Sequence, residues 1–342
     1  MKPALEPSSP APGYANTGAC PVCRSTDLAY YTTGRDRLFG KAPGVFYLYK
    51  CLQCGCVFYL PLPDRSKLSE FYPEDYWWSA EGQARGRLGR LMSRLEELYR
   101  EFVVADHVRF LAFCAHKFAA GGKLLLDIGC GSGVFLHVAR KHGFLAHGMD
   151  ASAHAVEIAQ RQYGLSVRKG EIGSLVWEPY RFDLVTMFHV LEHLPDPRVG
   201  LRFAGRLLRP TGALVIQVPN LKSIQARLFA GYWYGLDVPR HVINFTPKGL
   251  ALLLNEEGFE FDIIYRFSLR DNPASFASSL VPWLDPIRRR GRNLQKNPLL
   301  SAFKSAGYLG VFLLSLPPAL IESALGAGGT LWAVARPRRQ TG

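Results

Sequence analysis

A chain of 342 residues, 48% of them hydrophobic, is long enough to bury the core of one large globular domain and a small second one. A formal charge of +13 favours anionic partners such as phosphates, nucleic acid or a membrane face. The N-terminus has no apolar signal region, so we expect a cytoplasmic protein, whose seven cysteines indicate metal binding and argue against a disulfide framework.

The N-terminal part predicts a tail followed by a small metal-binding domain. Residues 1–18 are rich in Pro, Ser and Ala, a composition typical of a disordered tail. In residues 19–63, two C-x-x-C pairs accompany strand-like runs at 45–49 and 57–60. Two thiolates from each pair complete a tetrahedral set, so we predict a zinc ribbon with no open position for chemistry. The predicted ligands are Cys20, Cys23, Cys51 and Cys54.

Alternatives to structural zinc stay open at this level. The four cysteines could be free core residues or a redox pair, and Cys56 is a spare that could replace one ligand. A ribbon of this size buries too little apolar surface to fold alone, so metal binding would supply much of its stability.

Residues 64–120 predict a linker and N-terminal helices. The aromatic run Phe71–Trp78 could cover the active site as a lid or pack the ribbon onto the main domain. Apolar residues at helical spacing from Leu88 to Val103 indicate an amphipathic helix with a basic face, which we expect to be structural.

The stretch Leu124–Val138 organises the rest of the chain. Three aliphatic residues lead into Asp127, glycine occupies every second position from 129 to 133, and apolar residues then recur at helical spacing. This pattern predicts a buried strand, a tight turn and a helix start, with a ligand beyond the carboxyl end of the strand. A dinucleotide-binding turn needs its third glycine where Val134 stands. Asp127 would also repel a pyrophosphate, so it suits a cationic ligand instead.

Further strands follow in alternation with helices. We predict them at Ala146–Met149, Leu165–Arg168, Phe182–Met187 and Ala213–Val218. The first of these ends in Asp150, which is placed to bind ribose hydroxyls or to cap the next helix. A helix is predicted at 246–257, and an antiparallel hairpin is predicted between strands at 259–265 and 328–336.

Motifs in these elements resemble class I methyltransferases that use S-adenosylmethionine (SAM). The run D-x-G-x-G-x-G from Asp127 resembles their first motif. V-L-E-H-L at 190–194 and P-N at 219–220 resemble a branch that includes ubiquinone-pathway O-methyltransferases and enzymes of polysaccharide clusters. The resemblance implies an α/β fold for residues 121–342, with a Rossmann-like, doubly wound, seven-stranded sheet. It also implies SAM as cofactor, bound by Asp127, Gly129, Cys130, Gly131, Gly133, Asp150, Ala151, Glu171, Ile172 and Phe188.

The implied reaction is a one-step displacement in which an acceptor atom attacks the sulfonium methyl in line. The enzyme supplies alignment and a dry pocket, and a hydroxyl acceptor also needs a base, for which histidine suits neutral pH. His189, His193 and His241 are the candidates, although histidines are often structural. A metal is an alternative, because Glu192-His193 with the distant His241 resembles the E-x-x-E-H metal motif of the ubiquinone-pathway enzymes. His189 stands where that motif has its first Glu.

Segments outside the sheet are expected to select the substrate. Tyr232–Tyr234 could stack on a flat or sugar ring or could be core aromatics. The insertion 271–322 holds the basic run 288–292 and a nearly uncharged run at 305–321. This run is shorter than the ~20 residues that span a bilayer and contains prolines. We therefore expect 288–321 to make a peripheral contact with the inner face of the membrane, or to form a substrate lid or a dimer contact.

The sequence is consistent with two functions. We favour methyl transfer to an oxygen or carbon of a small molecule such as a sugar, a glycan-lipid intermediate or a quinone-like ring. Sugar C-methyltransferases of this fold carry an N-terminal zinc-binding segment that residues 20–54 resemble. The alternative is an RNA-modifying methyltransferase whose ribbon and basic surface hold RNA, although the ribbon lacks an aromatic platform for single strands. The acceptor and the oligomeric state are left open.

Overall fold

The computed structural model describes residues 14–15, 18–72, 86–174, 181–264, 267–294 and 297–338. The predictions for most of the N-terminal tail and for residues 73–78 of the aromatic run lie outside the described residues. The ribbon contains β1 (Tyr14–Ala15), β2 (Leu28–Gly34), β3 (Phe46–Cys51), β4 (Val57–Leu60) and β5 (Leu62–Pro63). Strand β1 corrects the predicted tail, because it pairs antiparallel with β5 and its backbone gains those hydrogen bonds.

Helix α1 (Gly86–Phe118) leads into the main domain, which alternates strands and helices. Its first elements are β6 (Leu124–Ile128), α2 (Val134–Lys141), β7 (Leu145–Asp150), α3 (Ala153–Tyr163), β8 (Ser166–Lys169), β9 (Phe182–Phe188), α4 (Pro197–Leu207) and β10 (Leu208–Pro219). The next are α5 (Ile224–Phe229), β11 (Ile243–Asn244), α6 (Pro247–Glu256) and β12 (Phe259–Ile264). The last are α7 (Asn272–Leu280), α8 (Pro286–Gly291), α9 (Pro298–Leu314), α10 (Leu316–Ala324) and β13 (Thr330–Pro337).

Seven strands form the main sheet in the order β12-β13-β10-β9-β6-β7-β8. Strand β6 lies between β7 and β9 and is parallel to both, and β10 is parallel to β9. Strand β13 is antiparallel to β10 and β12, which confirms the predicted hairpin and the predicted fold class. The strand order reverses beside β6, and ligands of open α/β sheets bind at such a point.

Burial explains why these segments are strands. Six of the seven residues of β9 are buried, as expected for a central parallel strand covered by helices on both faces. The helices that follow carry their own caps. The Ser152 hydroxyl accepts from the N–H of Ala155 at the start of α3, and the Thr246 hydroxyl accepts from the N–H of Gly249 at the start of α6. These caps direct α3 and α6 away from the edge where the strands end.

The ribbon and the main domain share one sheet and one core. Strand β11 from the main domain pairs antiparallel with β4, which extends the ribbon sheet to the order β11-β4-β3-β2. Thr246, just after β11, donates to the backbone carbonyl of Cys54 at 2.7 Å. Arg198 of α4 donates to the carbonyl of Val22 at 2.6 Å. The ribbon predicted to end at residue 63 is therefore not a separate unit, because it packs against the main domain and shares a sheet with it.

The insertion between β12 and β13 forms the helices α7 to α10. Leu299–Ala324 is a 26-residue helical stretch. Its most apolar part has a mean hydropathy of 1.5, and only 11% of that part is buried. By length and composition this stretch could cross a membrane. The apolar run predicted at 305–321 was too short, because its N-terminal end was placed just after Lys304. A single lysine can extend its charged group towards water without ending an apolar helix.

Candidate active site

The glycine turn lies where β6 ends beside β7. The N–H groups of Gly129 and Cys130 both donate to the carbonyl of Met149, at 2.8 and 3.1 Å. All three glycines have positive φ, +75° at Gly129, +53° at Gly131 and +82° at Gly133. A Cβ atom at Gly129 would lie 2.5 Å from Cγ2 of Val190, so the turn abuts the segment that carries the predicted catalytic histidines.

Asp150 ties this turn to the next helix. Its Oδ2 accepts from the N–H of Gly131 at 2.8 Å, and its Oδ1 accepts from the N–H of Ser152 at 2.8 Å. The helix cap is Ser152, so the capping alternative for Asp150 is wrong. Burial raises the pKa of Asp150, while the two N–H groups oppose that rise. These two contacts use one lone pair of each oxygen, and the second lone pair of each could accept from hydroxyl groups, so ribose binding by Asp150 stays a prediction.

Asp127 is a nearly buried carboxyl group at the end of β6, with 4% of its surface exposed. The Thr186 hydroxyl donates to its Oδ1 at 2.6 Å. Burial raises the pKa of Asp127 from the usual 3.8 to about 7, and the nearby charge of Asp150 adds to the rise. A cationic ligand group would restore the ionised form, as the sequence pattern indicates.

We expect Asp127→Asn to lower ligand affinity and to raise the stability of the ligand-free protein. An acid whose pKa is raised on folding destabilises the protein as pH rises through 3.8 to 7, here by at most on the order of 4 kcal/mol. The ligand-free variant should therefore melt above the wild type, by a margin that grows between pH 5 and pH 8. Affinity for the demethylated product S-adenosylhomocysteine should fall about tenfold or more. Scanning and titration calorimetry measure both effects.

Asp262→Asn is the matched control, because Asp262 is an exposed aspartate on β12. It should change neither quantity. A flat difference in melting temperature across this pH range would contradict the assignment of a charge-destabilised carboxylate at Asp127.

The other predicted nucleotide contacts surround the turn. Gly170, just after β8, donates its N–H to the carbonyl of Asp150 at 3.0 Å and brings the next residues beside that carboxylate. Ile172 is buried and Glu171 is exposed. Phe188 ends β9 with its ring 5.0 Å from the ring of Phe135 on α2. Of the two remaining residues, Cys130 is buried and Ala151 is exposed.

His193 and His241 face each other beyond the end of β9. Their ring centroids are 4.8 Å apart. Nδ1 of His193 lies 2.9 Å from the carbonyl of Arg240, and Nδ1 of His241 lies 2.7 Å from the carbonyl of Gly235. Because a carbonyl only accepts, each Nδ1 carries a proton, so the neutral form of either ring has its lone pair on Nε2. Burial and the charge of His241 lower the pKa of His193 to about 4, so His193 is neutral at pH 7.

Glu192 lies beside these rings and is fully buried. Its Oε1 is 4.0 Å from Nε2 of His241, and its Oε2 has no hydrogen-bond partner among the described residues. Ligand atoms of Glu192, His193 and His241 lie within 4.8 Å of one another. Two imidazoles and a carboxylate with one unsatisfied oxygen are a donor set that fits a divalent metal ion.

His189 has a different role from its two neighbours. Its Nδ1 is 3.0 Å from Oε1 of Glu192, and its Nε2 is 3.5 Å from Oδ1 of Asp271. Burial opposes protonation, but the two carboxylates prevail and raise the pKa of His189 to about 9. His189 is therefore an imidazolium at pH 7, which has no lone pair with which to accept a proton from a substrate.

Sequence reasoning missed several polar residues of this site. Asp271 also accepts from the side-chain amide of Gln217 at 2.8 Å, and Gln217 Oε1 lies 3.0 Å from Nε2 of His107. The side-chain amide of Asn244 on β11 is buried and has no partner among the described residues. Asp271 follows Arg270 in a loop with no motif, so only the fold reveals its position. Gln217 in an otherwise apolar strand was a detectable signal.

The ribbon holds the loop that carries His241. Arg240 is buried and donates to Asp36 of the ribbon at 2.9 Å and to Asp237 at 2.6 Å. The Tyr59 hydroxyl of β4 donates to the carbonyl of Pro239 at 3.1 Å. Because β11 begins two residues after His241, the pairing of β4 with β11 also fixes that histidine. The described part of the aromatic run contributes as well, since the Tyr72 hydroxyl lies 3.0 Å from Nδ1 of His193.

The four predicted zinc ligands converge. Sγ of Cys20 is 3.6 Å from Sγ of Cys54, and Sγ of Cys23 is 3.4 Å from Sγ of Cys51. All four sulfur atoms lie within 4.8 Å of one another. Zn–S bonds of about 2.3 Å in a tetrahedron place sulfur atoms about 3.8 Å apart, which this arrangement approaches. Cys56 is not one of these four; its Sγ lies 3.8 Å from the Thr246 hydroxyl, and its thiol also interacts with that of Cys54.

The three aromatic residues 232–234, predicted to be either core residues or a surface that stacks on a ring, have different surroundings. Trp233 is 1% exposed and donates from Nε1 to Gln225 at 3.2 Å, so it is a core residue. Tyr232 and Tyr234 instead line a cavity between the ribbon and the insertion.

Comparison with known proteins agrees with the motifs. Residues 97–262 match the family described as methyltransferase domain. A ubiquinone biosynthesis O-methyltransferase of Coxiella burnetii is 31% identical over 144 residues, which are 41% of this chain and 59% of that protein. A protein of the same name from Proteus mirabilis is 24% identical over 247 residues, which are 67% of this chain and 82% of that protein. The chain thus spans 59% of the length of the more similar of these two relatives.

Solved structures are more distant in sequence. The plantazolicin methyltransferase BamL, in complex with a triazolic desmethylPZN analog and S-adenosylhomocysteine, has a TM-score of 0.47 and 17% identity. That similarity covers 78% of this chain and 97% of the other.

Proposed function

Since residues 97–262 match the methyltransferase domain family, we propose that the whole protein is an SAM-dependent methyltransferase acting on an oxygen of a small-molecule acceptor. The observation that carries the proposal is the contact between the glycine turn and Val190, which sets the Asp127 ligand site beside the histidines. The relatives named O-methyltransferases support oxygen over carbon. When bound, SAM supplies a methyl group on a positively charged sulfur.

In this proposal His241 is the base that removes the proton of the acceptor hydroxyl. Its Nδ1 is held by the carbonyl of Gly235, so the neutral ring would accept the proton at Nε2, and Oε1 of Glu192 lies 4.0 Å from Nε2 to stabilise the imidazolium that forms. The salt-bridged His189 lowers the pKa of Glu192 against the effect of burial and keeps that carboxylate ionised. His193 completes the wall of the site and adds a second neutral lone pair.

The test is a comparison of His241→Gln with the wild type. We expect methyl transfer to fall about 10²–10⁴-fold, because a positioned base contributes that much, while S-adenosylhomocysteine affinity stays unchanged. Transfer of labelled methyl groups to fractions of cell extract measures the rate and does not require a purified acceptor. His116→Gln, at an exposed position on α1, is the control and should retain full activity. Equal rates in all three proteins would refute the role of His241.

A metal-assisted reaction is the second candidate, favoured by the unsatisfied Oε2 of Glu192. A divalent ion held by Glu192, His193 and His241 would lower the pKa of a bound hydroxyl group. Chelation that leaves the ribbon zinc in place separates the two candidates. Loss of activity that manganese or magnesium restores supports the metal, and an unchanged rate rejects it.

We propose further that the four-cysteine cluster binds structural zinc and that the acceptor is a sugar or a glycan-lipid intermediate. The convergence of four thiols supports the zinc. The two tyrosines that line the cavity near His241 support a ring-shaped acceptor. We do not extend the proposal to RNA, because the matched family and the named relatives give no support for an RNA substrate.

The insertion is proposed to bind the cytoplasmic face of a membrane without crossing it. Phe312, Ser315 and Glu322 on α9 and α10 are buried against the domain, so these helices meet lipid on one side only. The exposed side carries large apolar residues, among them Phe303 at 80% and Leu314 at 77% exposure. The net charge of +13 attracts an anionic surface.

Vesicle binding tests this contact. The double variant Phe303→Glu and Leu314→Glu should bind phosphatidylglycerol vesicles at least about tenfold more weakly than the wild type, since each side chain stabilises insertion by roughly 1.5–3 kcal/mol. Leu145→Glu, at a position 65% exposed on β7, is the control and should bind like the wild type. Equal vesicle binding by the double variant would contradict the proposal.

A further inference from the structure

A cavity of about 420 Å³ lies between the ribbon and the insertion, and the segment that precedes His241 forms part of its lining. Four arginines line it, Arg35 and Arg37 from the ribbon and Arg288 and Arg292 from the insertion. We propose that this cavity binds the phosphate or diphosphate group of a ligand whose ring lies against Tyr232.

The guanidinium groups are held in place by backbone carbonyls. Arg37 donates to the carbonyl of Trp233 at 3.2 Å, and Arg288 donates to the carbonyl of Arg37 at 3.1 Å. Arg292 donates to the carbonyls of Asp36, Arg37 and Leu38 at 2.9–3.1 Å. Carbonyl groups orient a guanidinium but do not neutralise its charge, so these contacts preorganise positive charge around the cavity.

Carboxylates also line the cavity, but they have other partners. Asp36 and Asp237 both accept from Arg240, which is buried behind the wall. Asp285 accepts from the Ser278 hydroxyl and from the backbone N–H of Arg288. With Arg240 included, five guanidinium groups face three carboxylates, so the site keeps positive charge.

Burial agrees with an anionic occupant. It lowers the pKa of Arg37 even though Asp237 and Tyr232 oppose that effect, and the guanidinium of Arg288 adds to the lowering. Burial likewise lowers the pKa of Arg288, with a further contribution from Arg292. The cost of keeping these charges close together falls when an anion enters, and phosphate matches the planar fork of arginine.

An exposed tyrosine and a nearby apolar helix indicate what kind of molecule carries the phosphate. The guanidinium carbon of Arg37 lies 5.2 Å from the ring centroid of Tyr232, whose side chain is 73% exposed and so can still receive a flat or sugar ring. Arg289 of α8 donates to the Ser305 hydroxyl of α9 at 2.9 Å, which places the cavity next to the exposed apolar helices. A nucleoside diphosphate and a phosphate-bearing lipid share the chemistry that this site recognises.

One loop contributes both to the cavity and to the placement of the proposed base. Tyr234, Asp237 and Val238 line the cavity, while the carbonyl of Gly235 holds Nδ1 of His241. The assignment of the ligand as the methyl acceptor rests on the proposed function, whereas the anion site itself does not.

Calorimetry on the full-length, zinc-loaded protein tests the site with inorganic diphosphate, uridine diphosphate and phosphatidylglycerol vesicles as probes. Arg37→Gln should weaken binding of the recognised probe about tenfold or more, because it removes a charge-assisted contact. Arg35→Gln is the second variant, since Arg35 is exposed and its loss leaves the fold intact; it should weaken binding about two- to threefold. Arg161→Gln on α3 should bind like the wild type.

Binding of the soluble diphosphates that depends on Arg37 identifies a free or nucleotide-borne phosphate. Arginine-dependent binding of vesicles alone identifies a lipid headgroup. No binding of any probe, or equal binding by the wild type and both cavity variants, would overturn the proposal. S-adenosylhomocysteine titration of each protein is run in parallel. If the wild type did not bind S-adenosylhomocysteine, the proposed function would be refuted, but the anion site would not.

Discussion

Replacing Cys51 with serine is expected to release zinc, to lower the stability of the whole protein and to reduce methyl transfer. Structural zinc supplies about 10–16 kcal/mol in small zinc-binding peptides, so loss of one thiolate should cost roughly 5 kcal/mol or more here. The effect should extend beyond the ribbon because β4 pairs with β11, and β11 follows His241. Zinc content per chain, calorimetric melting and the labelled-methyl assay measure the three consequences.

Cys56→Ser is the matched control. Cys56 is as buried as the predicted ligands, but it packs against Thr246 and Gly249 outside the cluster. It should keep one zinc per chain and near-normal activity. If Cys51→Ser retained both zinc and activity, the four-thiolate site and its role in positioning His241 would be wrong.

Replacing Gly129 with alanine is expected to abolish measurable methyl transfer and to weaken S-adenosylhomocysteine binding at least about 100-fold. The residue has φ +75°, which costs an L-residue about 1–2 kcal/mol. The added Cβ would also lie 2.5 Å from Val190, and relieving such a contact costs roughly 1–3 kcal/mol. Displacement of Val190 would move the adjoining Glu192 and His193, so cofactor binding and chemistry should fail together.

Gly121→Ala separates the two costs. Gly121 has φ +77°, within two degrees of Gly129, but a Cβ there would meet nothing within 4 Å. The control should lose stability through backbone strain alone and keep its affinity and its rate. Similar kinetic losses in the two variants would show that strain, and not the contact with Val190, limits the site.

The local elements of the fold could be predicted because their signals are short in range. Strand β6, the glycine turn and the start of α2 are read from consecutive residues in 124–138, and the structure places them as predicted. The hairpin of β12 and β13 was also predicted across the insertion, since each strand has its own apolar run. Boundaries moved by one to a few residues, as at β8, because tertiary pairing decides where a strand ends.

The chemistry of the site was less accessible to sequence reasoning. The three histidines look equivalent in a motif, yet Asp271 and Glu192 make His189 an imidazolium, whereas His193 and His241 each donate from Nδ1 to a backbone carbonyl. The arginine cavity draws on residues about 250 positions apart, from Arg37 to Arg288. No periodicity or spacing rule connects such distant segments.

By itself, the sequence determined the order of strands and helices, the glycine turn with its carboxylate and the two thiol pairs, because each depends on residues near one another in the chain. Only the tertiary structure decided that β11 joins the ribbon sheet, which histidine is charged and where the arginines meet. Those outcomes depend on burial and on distances between remote segments. Burial sets the protonation of a group and the strength of its contacts, and it exists only once the chain has folded.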